Sequence, residues 1–481
     1  MKKLTQILCC LLVMAHSAIA QSHSYTRTYG PSGMQCEAKE VLILPDANIL
    51  FVATITNSGQ EDIWLVKTNT KGDTLWTKTL GNPLRSERPE SVIISSANQL
   101  MITGNSYSGA GNPDALLMCV DLSGKLLWEK NYGGAGEDFA TAIKETADGF
   151  VLGGATLSSS TAGDFDAWLV KVNSSGVEQW SKTFGGPEYD DCWDLELTPD
   201  GGFMLTGGTY SFASGMYDDA WLIKTDAAGV LLWRKCYGVA DKVDWAWNLH
   251  PVKSGSAISG YVFTGVRETA ENMPDAAYGN MHFVKVDLDG NVLWDKTIIA
   301  TGYRIEGMDV KQLADSGFMI SGYQFTTSAR QLYMVRTDAN GSKTWDTSVG
   351  NDVAYNPRAL AVAADGSCYT VGSLASPDGS RYSFMAKFSG LPLSISAQYQ
   401  SNQPISIHPN PTSGYVVISW PQEAKVSSVM LYDICGRLLS ITEVSNSASA
   451  TINLDDMPTG PLVIKVQTAK DGIWTKVLEH L

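Results

Sequence analysis

Four acidic side chains, Glu87, Asp138, Asp190 and Asp244, fall at equivalent points of a repeating pattern. Trp193 and Trp247 each follow one of them by three residues, with Trp245 between. An acid at the start of an innermost strand, near a channel mouth, can hold a cation such as Ca2+ or bind a polyhydroxylated ligand, and indoles stack on sugar faces. Paired carboxylates can also serve a glycosidase as acid and base, which needs a separation of about 5 to 10 Å. The competing reading makes these acids solvated turn caps and the indoles packing wedges. Other chemistry is sparse. His250 and His282 are the only histidines within the repeats, and no HExxH, GxSxG or phosphate-binding loop occurs. Beyond Cys9 and Cys10, the cysteines Cys36, Cys119, Cys192, Cys236, Cys368 and Cys435 show no metal-binding spacing. They read as isolated thiols, with Cys36 and Cys368 the one pair that could meet.

The elements that must position these residues are written in a repeat. Trp76, Trp128, Trp180, Trp233, Trp294 and Trp345 recur at spacings of 52, 52, 53, 61 and 51 residues. Four residues before each stands a glycine, and three before that an Asn or Asp, as in Asn173, Gly176 and Trp180. The Asx caps a tight turn and the glycine supplies positive φ, so each motif is a hairpin between alternating strands. Two further strands, joined by turns such as Asp148-Gly149, complete each period. Four short strands per period of about 50 residues specify an all-β fold, a β-propeller whose blades are twisted sheets. The repeated tryptophans are expected to wedge between blades.

Tyr25 lies 51 residues before Trp76, and the last unit, ending at Phe388, has no tryptophan strand after it. Pairing the first strand with the last sheet would close the ring and remove two exposed edges. The interval from 25 to 388 holds seven units of 52, so the expectation is seven blades over 21–388. The Asx-x-x-Gly-x-x-x-Trp motif resembles the quinoprotein-like propeller repeat, and that resemblance implies architecture only. In an up-and-down blade both tight turns share one face, which leaves the longer connections 158–165, 211–217 and 267–280 on the other, where propeller function tends to sit.

The two ends carry addresses. Residues 1–20 combine Lys2 and Lys3, an apolar run and Ala18-Ile19-Ala20, the marks of a secretory signal peptide. Residues 389–404 form a linker of low charge without the repeat, and 405–481 alternate strands with Gly and Pro turns, as a small C-terminal β-sandwich would. Within it stand Pro409, Asn410, Pro411 and Gly414, then Tyr432, Asp433 and Gly436, a Met-Pro-Thr-Gly segment ending at Gly460, and Lys476 in a last strand. These motifs, in this order, closely resemble the type A C-terminal sorting domain of the type IX secretion system of Bacteroidota. The resemblance implies the Sec and type IX machineries as partners, export across the outer membrane to the cell surface or medium, and removal of the domain there.

The net charge of −15 and the lack of a basic stripe exclude nucleic acid as a partner. No stretch after the signal is long and apolar enough to span a membrane. With export legible and catalytic signatures missing, the sequence reads as a surface binding or adhesion module for a glycan or protein ligand. A carbohydrate-active enzyme using rim carboxylates is the alternative, and a structural surface-layer component the third reading. No cofactor is specified beyond the candidate Ca2+.

Overall fold

The computed structural model describes residues 22–480, apart from 109–111, 161, 269–278, 301–302, 327–329, 351–353, 377–378, 390–405, 409–413, 422–424, 434–437, 445–446, 456, 458–459 and 469–472. The expected signal peptide, nearly all of the linker and most of the 267–280 connection therefore lie outside the described residues. Two compact units emerge, one spanning His23–Phe388 and one containing the strands beyond Ser389.

The first unit is built from strands alone. They are β1 (Ser22–Tyr29), β2 (Gln35–Ile43), β3 (Ile49–Asn57), β4 (Gln60–Thr68), β5 (Thr74–Leu80), β6 (Arg85–Ile94), β7 (Gln99–Ser108), β8 (Pro113–Asp121), β9 (Leu126–Tyr132), β10 (Asp138–Thr146), β11 (Gly149–Thr156), β12 (Asp166–Asn173), β13 (Glu178–Phe184) and β14 (Asp194–Leu197). There follow β15 (Phe203–Thr209), β16 (Asp219–Thr225), β17 (Leu231–Cys236), β18 (Asp244–Ser254), β19 (Ala257–Arg267), β20 (Asn280–Val286), β21 (Val292–Ile298), β22 (Arg304–Gln312), β23 (Phe318–Phe325), β24 (Arg330–Thr337), β25 (Lys343–Val349), β26 (Ala354–Val362), β27 (Cys368–Ala375) and β28 (Arg381–Ser389).

Strands β6–β9, β10–β13, β14–β17, β18–β21 and β22–β25 form five four-stranded antiparallel sheets of the kind that serve as propeller blades. The other eight strands share one sheet in the order β26-β27-β28-β2-β3-β4-β5, with β1 paired to β28. Only one parallel pair, Gln35 with Arg381, joins β2 to β28. The first strands touch in succession: β2 with β6, β6 with β10, β10 with β14, β14 with β18, β18 with β22, β22 with β26, and β26 with β2.

Packing between sheets follows the repeat. In the Asn173 turn the Oδ1 atom accepts the N–H groups of Ser175 and Val177 at 3.0 and 2.9 Å, and Gly176 sits at φ +74°. A Cβ on Gly176 would come within 2.6 Å of the Trp128 ring, so the turn glycine of one sheet lies on the tryptophan of the sheet before it. Trp128 packs among buried residues of both sheets, including Leu117, Cys119, Phe150 and Leu152. Tyr132 then donates its hydroxyl to the Gly176 carbonyl at 2.7 Å, and Tyr237 does the same to Gly290 at 2.8 Å. Strand β1 reproduces this arrangement against the first sheet. Tyr25, Arg27 and Tyr29 cover Gly72, and Tyr29 donates to its carbonyl at 2.8 Å. At the sheet ends Lys67, Lys171 and Lys224 pair with Asp46, Asp148 and Asp200. Cys36, Cys119, Cys192, Cys236 and Cys368 are free thiols, so Cys36 and Cys368 do not bridge.

In the second unit β29 (Ser406–His408), β30 (Tyr415–Ser419) and β33 (Ser449–Asn453) form one sheet. Strands β31 (Val426–Asp433), β32 (Leu438–Glu443), β34 (Gly460–Thr468) and β35 (Ile473–His480) form another, in the order β32-β31-β34-β35. Their facing sides share one core containing Val416, Ile418, Trp420, Leu431, Ile452, Ile464 and Leu478. The Gly414 carbonyl accepts the N–H of Leu454 at 2.7 Å, Tyr432 and Asp433 end β31, Gly460 begins β34 and Lys476 lies in β35. Pro409, Asn410, Pro411 and Gly436 lie outside the described residues.

Candidate functional site: a cavity among the first strands

Strand register confirms that Glu87, Asp138, Asp190 and Asp244 occupy one position, since they pair with Ser106, Thr156, Thr209 and Arg267 of their second strands. At this position the other sheets carry Cys36, Ile305 and Tyr355. All four acids are fully buried. Each accepts a main-chain N–H from the connection just before it: Asn82, Gly134, Gly186 and Val239 donate at 3.2, 2.8, 2.8 and 2.9 Å. Side chains complete the shells. Arg85 donates to Glu87 at 2.5 Å, Ser158 to Asp138 at 2.6 Å and Arg267 to Asp244 at 2.9 Å, while Thr156 and Thr209 bond Asp138 and Asp190. These carboxylates tie each connection onto the sheet that follows. Burial still raises the Glu87 carboxyl above its usual range, against the pull of Arg85. Among the described residues no group of three His, Cys, Asp or Glu side chains is arranged to hold a metal ion.

The indoles are placed differently. Trp193, Trp247 and Trp245 form a chain of edge-to-face contacts with centroids 5.1 and 5.0 Å apart. Trp193 and Trp247 line a cavity of about 470 Å³ to which all seven first strands contribute. A shared irregularity puts them there. Each first strand carries one extra residue relative to its neighbour, between Ala38 and Glu40, Pro89 and Ser91, Ala140 and Ala142, Ala246 and Asn248, Gly307 and Asp309, and Pro357 and Ala359. In the fourth sheet the five residues from Asp190 to Asp194 face the four from Thr206 to Thr209, which makes Trp193 the equivalent residue. The extra residue of a bulge stands outside the ladder and its side chain is re-aimed. Here Lys39, Glu90, Thr141, Trp193, Trp247, Met308 and Arg358 all turn into the cavity. The opposing second strand has a glycine beside six of the seven bulges; a Cβ on Gly154 would lie 1.8 Å from the Phe139 carbonyl oxygen.

Charge in and around this layer is dense and mostly paired. Lys39 meets Glu90 at 3.1 Å, Lys144 meets Glu196 at 2.8 Å and Lys311 meets Asp309 at 2.6 Å. Several polar groups also stitch neighbouring sheets: Asp194 accepts the N–H of Leu249 at 3.0 Å, Asn248 that of Val310 at 3.1 Å, and Asp309 that of Leu360 at 2.7 Å. Burial pushes the Glu40 carboxyl up to about 7, with Lys311 opposing and Asp309 and Asp194 reinforcing. His250 is held well below its usual value by burial and by Lys311, Lys144 and Lys253, so it is neutral at pH 7. Two donors are left over. Arg358 pairs with no carboxylate among the described residues, and the buried Trp247 Nε1 has no hydrogen-bond partner among them. The cavity therefore offers an indole pair, open cationic and N–H donors, and carboxylates for hydroxyl groups.

Residues 406–478 match the family described as a secretion system C-terminal sorting domain. None of the curated proteins matches the chain in sequence. Among solved structures, a catalytically inactive virginiamycin B lyase from Staphylococcus aureus is 10% identical with a TM-score of 0.41, over 75% of this chain and 98% of its own. A Dyadobacter fermentans protein of unknown function is 10% identical with a TM-score of 0.44, over 76% of this chain and 99% of its own. A putative gluconolactonase is 11% identical with a TM-score of 0.34, over 75% of this chain and 93% of its own. Among the described residues no helix is long and apolar enough to cross a membrane. Behind its propeller-like sheets the chain carries the C-terminal sorting domain of the type IX secretion system, which marks it for export to the cell surface or the extracellular space.

Proposed function

We propose that this exported protein is a binding module: a seven-bladed propeller, closed through β1, whose central cavity takes an acidic glycan. Closure is supported by the unbroken succession of contacts from β2 round to β26 and back, and by Tyr29 meeting Gly72 as Tyr132 meets Gly176. The observation that carries the binding reading is the layer of seven bulge residues, which sets the Trp193–Trp247 pair and Arg358 around one cavity. Indoles stack on sugar faces, a free guanidinium grips a carboxylate, and a volume of several hundred Å³ is that of an ordinary ligand site. A catalytic reading lacks an equivalent support, because the cavity carboxylates are engaged by lysines or main-chain N–H groups. The test is a glycan array with the secreted protein, followed by affinities for Trp247→Ala and Arg358→Ala. Loss of at least about tenfold in each, with unchanged unfolding, is expected for a stacking and a charge contact. Undiminished binding by both variants would place the ligand elsewhere.

A further inference from the structure

On the loop-rich side of the fourth sheet, Asp191 and Asp218 face each other across Gly208. A methyl group on Gly208 would lie 3.7 Å from Asp191 Oδ1, 3.6 Å from Asp218 Oδ2 and 3.5 Å from Trp245 Cδ1. Asp218 is only 3% exposed, and its Oδ1 atom has no hydrogen-bond partner among the described residues. Asp190, Asp219 and Asp244 are buried nearby and add to the negative field. Several buried acids elsewhere are matched with cations, as in Glu87 with Arg85, Glu306 with Arg304, Asp309 with Lys311 and Asp315 with Arg336, while Asp138 is held by the Gly134 N–H and the hydroxyls of Thr156 and Ser158. Of the five acids here only Asp244 has one, Arg267. Asp190 is satisfied by Thr209 and Gly186, and the Asp219 Oδ2 accepts the Ser214 N–H at 2.7 Å while its Oδ1, like that of Asp218, has no partner among the described residues. Asp191 and Asp218 pair with no Lys or Arg among the described residues. Asp191 is held by hydrogen bonds, its Oδ1 accepting the Gly208 N–H at 2.7 Å and its carboxylate also bonding Trp193 and Tyr189, whereas the Asp218 Oδ1 has neither counter-charge nor donor. A buried carboxylate oxygen so placed is costly, and a bound cation removes that cost.

We infer that Asp191 and Asp218 hold a divalent calcium ion. The donors are all hard oxygens, which select calcium over thiophilic metals, and main-chain oxygens and water complete the shell. Two protein carboxylates give the weak affinity of extracellular calcium modules, about 10⁻⁴ to 10⁻³ M. Burial, reinforced by the neighbouring acids, pushes Asp191 up to about 6 and Asp218 up to about 7, as expected where a counter-charge is missing. Asp191 also accepts a side-chain hydrogen bond from Trp193, so the ion would brace an indole of the cavity wall.

The test uses the full secreted protein with calcium chloride and terbium chloride as probes. Calcium is expected to raise Tm by several degrees. Terbium is expected to emit on indole excitation, Trp245 being adjacent, and calcium to displace it. Asp218→Asn should melt higher than wild type without calcium, show no further rise with it and lose the terbium emission. Gly208→Ala adds a methyl that meets nothing closer than 3.5 Å. It therefore folds, and by intruding between the carboxylates it should weaken terbium binding at least about tenfold. A wild-type Tm indifferent to calcium, or emission surviving in Gly208→Ala at full affinity, would overturn the site.

Discussion

The junction between β1 and the first sheet can be weighed against junctions elsewhere in the molecule, because the same hydrogen bond occurs at three of them. Tyr29, Tyr132 and Tyr237 donate to the carbonyls of Gly72, Gly176 and Gly290 at 2.8, 2.7 and 2.8 Å, and the three rings are 8, 7 and 7% exposed. Tyr29 and Tyr237 also meet Phe51 and Phe263 edge-to-face at 5.1 and 5.2 Å. Replacing each tyrosine by phenylalanine keeps the ring contacts and removes only the hydroxyl. The loss is one buried hydrogen bond plus a carbonyl left without its donor, about 1 to 1.5 kcal/mol each. Sites this far apart act independently, so the three costs should agree within about 0.5 kcal/mol if β1 is bound as firmly as the outer strands β9 and β17. In a chain of this size that is a Tm shift of only about 2 °C, and equilibrium urea unfolding resolves it better. If Tyr132→Phe and Tyr237→Phe show the full cost while Tyr29→Phe costs nothing, β1 frays from the first sheet and the closed ring is wrong.

Deleting residues 406–478 should leave a folded propeller inside the cell envelope, and immunodetection on intact cells checks this; surface display of the truncation would contradict the assigned route. Without added calcium, stability should fall as pH rises from about 4 to about 7. Burial, with Asp191, Asp219 and Asp244 nearby, holds the Asp218 pKa in the folded state above its unfolded value of 3.8, so the folded state binds the proton more tightly and loses this advantage on ionisation. Asp218→Asn should flatten that slope, as read from urea midpoints across the range. Reductant should leave Tm unchanged, because the five described cysteines are free, whereas a fall on adding dithiothreitol would reveal a disulfide.

The frame of the molecule was legible because its punctuation is chemical. An Asx that caps its own turn and a glycine at φ between +73° and +86° recur with each tryptophan, and the turn, the hairpin and the wedge follow from those types alone. The acids misled for an instructive reason: Asp138 and Asp190 sit where a strand begins, which suggests an exposed rim, but the preceding connection folds over them and donates its N–H groups. Of the three indoles selected from the sequence, two line the cavity, while Lys39, Glu40, Lys144, Asp309, Lys311 and Arg358 were passed over. A signal for them was present. Gly104, Gly154, Gly207, Gly265, Gly322 and Gly372 recur inside the second strands, and an isolated strand glycine marks a bulge on its neighbour. Locating that bulge would have picked out the residue re-aimed toward the cavity. The Asp191–Asp218 pair could not be read this way, since it joins the start of one strand to a loop before another and depends on tertiary folding.

The bulges also separate two kinds of evolutionary constraint. A residue within the ladder is bound to its sheet by pairing with the second strand and by the core beneath it, so its replacement disturbs the fold. Positions 39, 90, 141, 193, 247, 308 and 358 escape that coupling, and they already hold a lysine, a glutamate, a threonine, two tryptophans, a methionine and an arginine on one common backbone. Such a scaffold works like a combination lock with seven dials, of which 39 with 90 and 193 with 247 are in contact and turn together. Ligand preference can drift one dial or one such pair at a time, under selection or in a designed library, while the blades go on folding as before.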